Sequence, residues 1–207
     1  MKVTVFHDDL PSDFHLAGDI AIDTETMGLD LNRDRLCVIQ ISNGDGDAYL
    51  VQFSKDNYNA PNLKKMLLDE NRGKIFHFAR FDLASIKKYL NIELSNIFCT
   101  KIASKLVRTY TDHHGLKNLC KELLGINISK QQQSSYWGAD KLSEDQKEYA
   151  AKDVIYLHSL RARLLEMLIV ENRNDLAHKL FEFLPTRVNL DLIGWNNIDI
   201  FSHGTTK

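Results

Sequence analysis

Apolar positions recur with a period of two in the first part of the chain and with a period near 3.6 in the second. Residues 3–6 (VTVF), 19–25 (DIAIDTE), 35–42 (RLCVIQIS) and 47–53 (DAYLVQF) carry the strand pattern. Asn43-Gly44-Asp45-Gly46 lies between the last two and is a hairpin signal. The gap from Met27 to Arg33 is also short, so the stretch from 19 to 53 is predicted to fold as an antiparallel meander. Residues 60–70 read as a helix with Pro61 in its first turn. KIFHF (74–78) is a short apolar run and reads as a buried strand. FDLASIKKYL (81–90) has a helical stripe of Leu83, Ile86 and Leu90, and residues 97–99 make one more short strand.

From Lys101 onward the pattern is helical. KIASKLVRTY, GLKNLCKELLG and the long SEDQKEYAAKDVIYLHSLRARLLEMLIVE all space their apolar residues by three and four, and Gly125 is a helix stop. Residues 130–140 (KQQQSSYWGAD) are polar with two aromatics and are expected to be a loop. Residues 172–184 are expected to form a further helix that Pro185 ends, followed by a tail of weak pattern. No repeat, low-complexity stretch or linker divides the sequence. The expectation is one α/β domain over residues 1–207, with a core of about 15–170 and a C-terminal helix and tail in 171–207.

With 207 residues, 43% hydrophobic and 26% charged, the chain can bury one sizeable core. No apolar run reaches the roughly 18–20 residues of a membrane span, and the N-terminal MKVTVFHDDLPSDF lacks the apolar stretch of a secretory signal. Cys37, Cys99 and Cys120 are odd in number and widely spaced in apolar surroundings, which fits reduced core thiols in a cytoplasmic protein. A net charge of −2 gives no overall basic surplus for gripping long nucleic acid. A nucleic-acid substrate would therefore be met by few phosphate contacts, with a metal supplying local positive charge.

The strand at 19–25 departs from its own pattern. Ile20, Ala21 and Ile22 read as core, yet Asp23 and Glu25 project together from one face. Two neighbouring carboxylates repel each other and lose hydration, and a hard divalent ion such as Mg²⁺ or Mn²⁺ relieves both effects. The pair alone is equally compatible with a turn-opening Asp and a solvated Glu. Asp82 follows the strand at 74–78, where an acid also suits a first helical turn. Tyr149 and Asp153 share a helix face at i,i+4, with small Ala150 and Ala151 between them, and taken alone they read as a surface Asp beside a half-buried Tyr. The conjunction is more informative than its members. Four acids brought together around one sheet require cations, and a two-metal site for phosphodiester hydrolysis is the chemistry that uses them. Tyr149 would then orient or deprotonate the attacking water.

These residues also resemble a known family. IDTETMGL (22–29), HFARFDL (77–83) and YAAKDVIYL (149–157) are similar to the three motifs of the DEDD 3′–5′ exonucleases, in the branch with a tyrosine in its third motif. HGLKNLCKELLG (114–125) and QSSYW (133–137) resemble linking segments of ribonuclease D. The resemblance implies a ribonuclease H-like fold with a central mixed five-stranded sheet, three antiparallel strands and then two parallel, flanked by helices. It implies that Asp23, Glu25, Asp82 and Asp153 bind two divalent ions, Mg²⁺ or Mn²⁺, and that Tyr149 positions water. Only about 37 residues follow the long helix, so the chain most resembles the short nanoRNase C branch, whose members stand in for oligoribonuclease. That branch implies short single-stranded RNA, dinucleotides above all, as the substrate and a homo-oligomeric octamer as the assembly. The apolar tail residues Leu190, Leu192, Ile193, Trp195, Ile198, Ile200 and Phe201 fit such an interface or a cover for the chain's own core.

Substrate contacts are expected from several segments. By likeness, Thr26 and the backbone that follows Glu25, including Gly28, meet the terminal 3′-OH, and Leu29 with Met27 wedges against the bases. Phe81 is a candidate for base stacking, and His77 for substrate contact. Two sets compete for the 5′ phosphate: the loop residues Gln133, Ser134, Ser135 and Trp137, and the basic helix residues Lys101, Lys105 and Arg108. Ribonuclease D-like action on longer or structured RNA or on DNA, and a non-catalytic nucleic-acid-binding module, are the alternatives.

Overall fold

A computed structural model describes residues 1–128 and 135–203. Six strands form one sheet in the order β1-β4-β3-β2-β5-β6. They are β1 (Val3–His7), β2 (Ile20–Thr26), β3 (Leu36–Ser42), β4 (Ala48–Gln52), β5 (Lys74–Phe76) and β6 (Ile97–Cys99). The meander β2-β3-β4 is antiparallel, and β5 and β6 add to it in parallel through helical crossovers. The mixed sheet expected from the sequence is present, with one strand more than the five anticipated. The sixth is β1, which pairs in parallel with β4 from Val3↔Ala48 to His7↔Gln52. Its half-buried VTVFH signal was visible, but its partner was not, because a parallel edge strand leaves no turn signature.

The helices are α1 (Pro61–Leu67), α2 (Ala79–Leu90), α3 (Thr100–Val107), α4 (Leu116–Leu124), α5 (Glu144–Ile155), α6 (Leu157–Val170) and α7 (Asn174–Leu190). The single long helix expected from residue 143 onward is two helices, interrupted at Tyr156. The break lets α5 pack on β2, β3 and β4 while α6 packs on α3 and α4. Nor does Pro185 end a helix. It lies inside α7, whose Phe181, Leu184 and Val188 are buried. Packing of α7 on α2, α3 and β6, including a Phe98–Phe181 ring contact at 4.9 Å, outweighs the missing backbone bond. Beyond it, Asp191–Trp195 form one wide turn that Arg80 and Arg187 hold through the Asp191 carboxylate.

Two local features position the site. β5 is only three residues long and pairs with β2 at Ile20 and Ala21 alone, so the edge of β2 beyond Ala21 has no strand beside it. The chain then turns through Phe78, in the left-handed region at φ 68°, straight into α2. Among the described residues no helix is long and apolar enough to cross a membrane. All three cysteines are buried free thiols.

Candidate active site

A cleft opens where β2 loses its parallel neighbour. Strand alternation sends Asp23 and Glu25 to one face, and α5 lies against β2 with Asp153 one turn beyond Tyr149. One carboxylate oxygen from each of Asp23, Glu25 and Asp153 falls within 4.8 Å of the others. Asp82 enters from the first turn of α2. Its Oδ1 accepts from the Thr24 amide at 3.1 Å and from Thr24 Oγ1 at 2.7 Å. That amide belongs to the stretch of β2 that β5 leaves uncovered, so a carboxylate takes the place of a strand partner. Asp23, Glu25, Asp82, Tyr149 and Asp153 all line one cavity of about 560 Å³.

The electrostatics of this cluster run against ionisation. Burial pushes Asp23 well above the usual carboxylate range, and the carboxylates of Asp82, Asp153 and Glu25 push it further. Burial raises Glu25 in the same way, with Asp153 and Asp82 adding to it. For Asp82, burial outweighs the hydrogen bonds from Thr24, and its pKa rises to about 7. Tyr149 is also raised above the ordinary phenol value, by burial first and then by Asp153, Glu25 and Asp23. Oxygen donors at this spacing, half-buried and mutually repelling, are the donor set that hard divalent cations take, and the residues present fit such ions.

Thr26, Met27, Gly28, Leu29, His77, Phe81, Ser135 and Trp137 line the same cavity. Leu29 is 84% exposed at its rim. His77 Nδ1 lies 2.9 Å from Thr100 Oγ1, whose hydroxyl donates to the Phe76 carbonyl, so His77 is the donor in that pair. Ser135 is held by Gln146, which also closes a capping box with Ser143 at the start of α5. Trp137 is buried 6.1 Å from the Tyr149 ring, and its indole N–H has no partner among the described residues. Gln133 and Ser134 lie outside the described residues.

Arg108 is a correction. It is fully buried, paired with Glu122, and donates to Ser104 Oγ at 3.0 Å and to the His113 carbonyl at 2.9 Å. A helical stripe cannot distinguish a solvated arginine from one turned inward onto an acid of the next helix. The basic set therefore separates: Lys101 reaches the cleft, Lys105 is exposed away from it, and Arg108 holds α3 to α4. Pattern reading also missed cleft residues. Phe78 is 45% exposed, with Lys101 Nζ 4.1 Å from its ring centre, and Gly115, Leu116 and Lys117 also line the cleft. Its signal was HFARF, where two aromatics compete for one role.

A 3′–5′ exonuclease family model matches residues 6–169. The chain is 36% identical over 166 residues to DNA polymerase I of Aquifex aeolicus, covering 80% of this chain and 26% of that protein. It is 35% identical over 157 residues to ribonuclease D of Gluconacetobacter diazotrophicus, covering 75% and 39% respectively. The chain thus spans well under half the length of these curated relatives. Among solved structures, Brucella melitensis NrnC bound to pGG is 52% identical with a TM-score of 0.95, covering 99% of this chain and 100% of that one. The same protein with bound Mg²⁺ gives 51% identity and a TM-score of 0.94, again covering 99% and 100%.

The raised carboxylates give a signed expectation. Their folded values exceed the unfolded ones of about 4, so without metal the protein loses stability as pH rises through the folded values, near 7 for Asp82. Divalent cations bind the ionised forms. The gain in melting temperature on adding Mg²⁺ is therefore expected to be larger at about pH 8 than at about pH 5.5. Equal gains at both, read by thermal denaturation, contradict the assignment.

Proposed function

We propose, given that this chain belongs to the 3′–5′ exonuclease family, that it is a divalent-metal-dependent 3′–5′ exoribonuclease that hydrolyses short oligoribonucleotides, dinucleotides above all, to 5′-mononucleotides. The observation that carries the reading is the convergence of Asp23, Glu25 and Asp153 within 4.8 Å, with Asp82 and Tyr149 in the same cleft. Support for short RNA comes from the whole-chain likeness to an NrnC solved with pGG.

In this reading Asp23, Glu25 and Asp153 hold one ion, and Asp23 with Asp82 holds a second. Two Mg²⁺ or Mn²⁺ ions, when bound, supply water activation and neutralise charge on the leaving oxygen. The protein residues do the rest. Tyr149 keeps its proton, because its raised pKa makes it a neutral phenol, and it orients the attacking water as a hydrogen-bonding group. Thr26 and the backbone through Gly28 receive the 3′-OH, which restricts cleavage to that terminus. Leu29 and Met27 wedge against the bases, and Phe78 or Phe81 offers a stacking face. His77 and the residues Ser135 and Trp137 contact the remaining nucleotide. The buried thiols fit a reducing cytoplasm. The chain assembles as a homo-oligomer, an octameric ring. Support comes from Ile193, Trp195, Ile198, Ile200 and Phe201, all exposed in the single chain.

Three outcomes test this. Asp23→Ala is expected to lower the hydrolysis rate on the order of a thousand-fold or more while leaving the melting temperature equal or higher, since it removes a repelling carboxylate. Full activity in that variant, or in excess EDTA, sinks the metal mechanism. Rates on a diribonucleotide, a longer RNA and matched DNA should fall in that order. A faster rate on the long RNA instead points to ribonuclease D-like processing. Light scattering at micromolar concentration should return a species several times the chain mass, and a monomer rules out the ring.

A further inference from the structure

The acidic cluster rests on a residue outside the catalytic set. Gln40 lies directly across the β2–β3 ladder from Asp23 and is fully buried. Directly opposed residues of an antiparallel pair share a face, so the two side chains leave the sheet together. Gln40 Nε2 donates to Asp23 Oδ2 at 3.2 Å. The other end of the amide, Oε1, is buried with no partner among the described residues. The neighbours of Gln40 along β3 (Val38, Ile39 and Ile41) are fully buried and apolar. As core filling, a glutamine here is a poor choice, because a leucine or methionine occupies similar space without an orphaned carbonyl. What the amide adds is a donor aimed at one oxygen of Asp23.

We propose that Gln40 is a positioning residue that fixes the orientation of the Asp23 carboxylate and thereby sets the affinity of the acidic cluster for divalent cations. Asp23 is half-buried beside three other acids that repel it, so repulsion favours its turning away from them. A donor held rigidly by the central strand opposes that turn and leaves Oδ1 for the cleft. Thr24 does the same for Asp82 from the other side of β2. Ligand carboxylates held in this way bind metal more tightly, because less ordering remains for the ion to impose. The inference rests on reading the cluster as a metal site.

The test uses the full chain with Gln40→Met, which preserves volume and removes the amide. Calorimetric titration of metal-free protein with Mn²⁺ alone should show binding weakened by about 10- to 100-fold. The Mn²⁺ concentration for half-maximal hydrolysis should rise in parallel, KM for a diribonucleotide should stay unchanged, and saturating Mn²⁺ should recover most of the rate. A role in packing alone lowers the melting temperature with no change in Mn²⁺ affinity, and that result overturns the proposal. Should the methionine variant not fold, Gln40→Leu carries the same comparison. If neither folds, the amide is required by the fold itself and the proposal fails. Wild-type protein that binds no Mn²⁺ refutes the metal reading as well, whereas unchanged affinity in a variant refutes this inference alone.

Discussion

Repulsion among desolvated carboxylates at the open edge of β2 is the constraint around which the chain is arranged. Raising Asp82 from the ordinary value to about 7 corresponds to a few kcal/mol against its ionised form. A domain of this size has roughly 5–15 kcal/mol of net stability to spare. Such groups are tolerable only because the elements that carry them are fixed elsewhere by apolar packing. Ile20, Ala21 and Ile22 anchor β2, Leu83, Ile86 and Leu90 anchor α2, and Ala150, Ala151 and Val154 anchor α5. The core holds the acids in place, and divalent ions, on the proposed function, would recover part of the cost.

Sheet topology provides the opening. A longer β5 would cover the edge of β2 and satisfy the Thr24 amide with backbone. Because β5 stops after three residues, that amide turns to Asp82, and the side chain of one motif is joined to the backbone of another. The left-handed Phe78 accomplishes the change of direction in one residue and leaves its ring at the cleft. A left-handed bulky residue is uncommon, and this one lines the cleft as well as opening α2. The same local economy appears at α5, where a capping box fixes the helix start and its glutamine also holds Ser135 at the cleft wall.

The sequence made local periodicity legible and left lateral pairing hidden. Asp23 with Glu25, and Tyr149 with Asp153, are separated by the repeat of the element that carries them, so their shared faces follow from spacing. Asp82 needed only a strand-to-helix boundary. The supports are different in kind. Gln40 meets Asp23 through strand register, Thr24 meets Asp82 across 58 residues, and neither spacing says anything about function. Register also hid β1, whose partner β4 is the last strand of the meander. Arg108 failed for a related reason: it caps the end of α3, and the acid that turns it inward sits on the next helix. Pro185 and Tyr156 failed because tertiary packing overrode local rules, continuing one helix through a proline and breaking another where no breaker stands.

Charge distribution bears on how long a substrate the cleft suits. A protein that follows an extended strand pairs a run of phosphates with lysines and arginines, and its affinity grows with their number. Here the described cationic side chains lining the cleft are Lys101 and Lys117, while Arg108, Arg80 and Arg187 are committed to Glu122 and Asp191. The chain as a whole carries a net charge of −2. On the proposed function, binding would come chiefly from the terminal nucleotide: its 3′-OH at the end of β2, its base against Leu29 and the aromatic rim, and its phosphate at the acidic cluster with cations bound. Each additional nucleotide adds a phosphate for which few cations remain, so chain length brings little gain in affinity. If the proposed function holds, a site built in this way would favour substrates that are nearly all terminus.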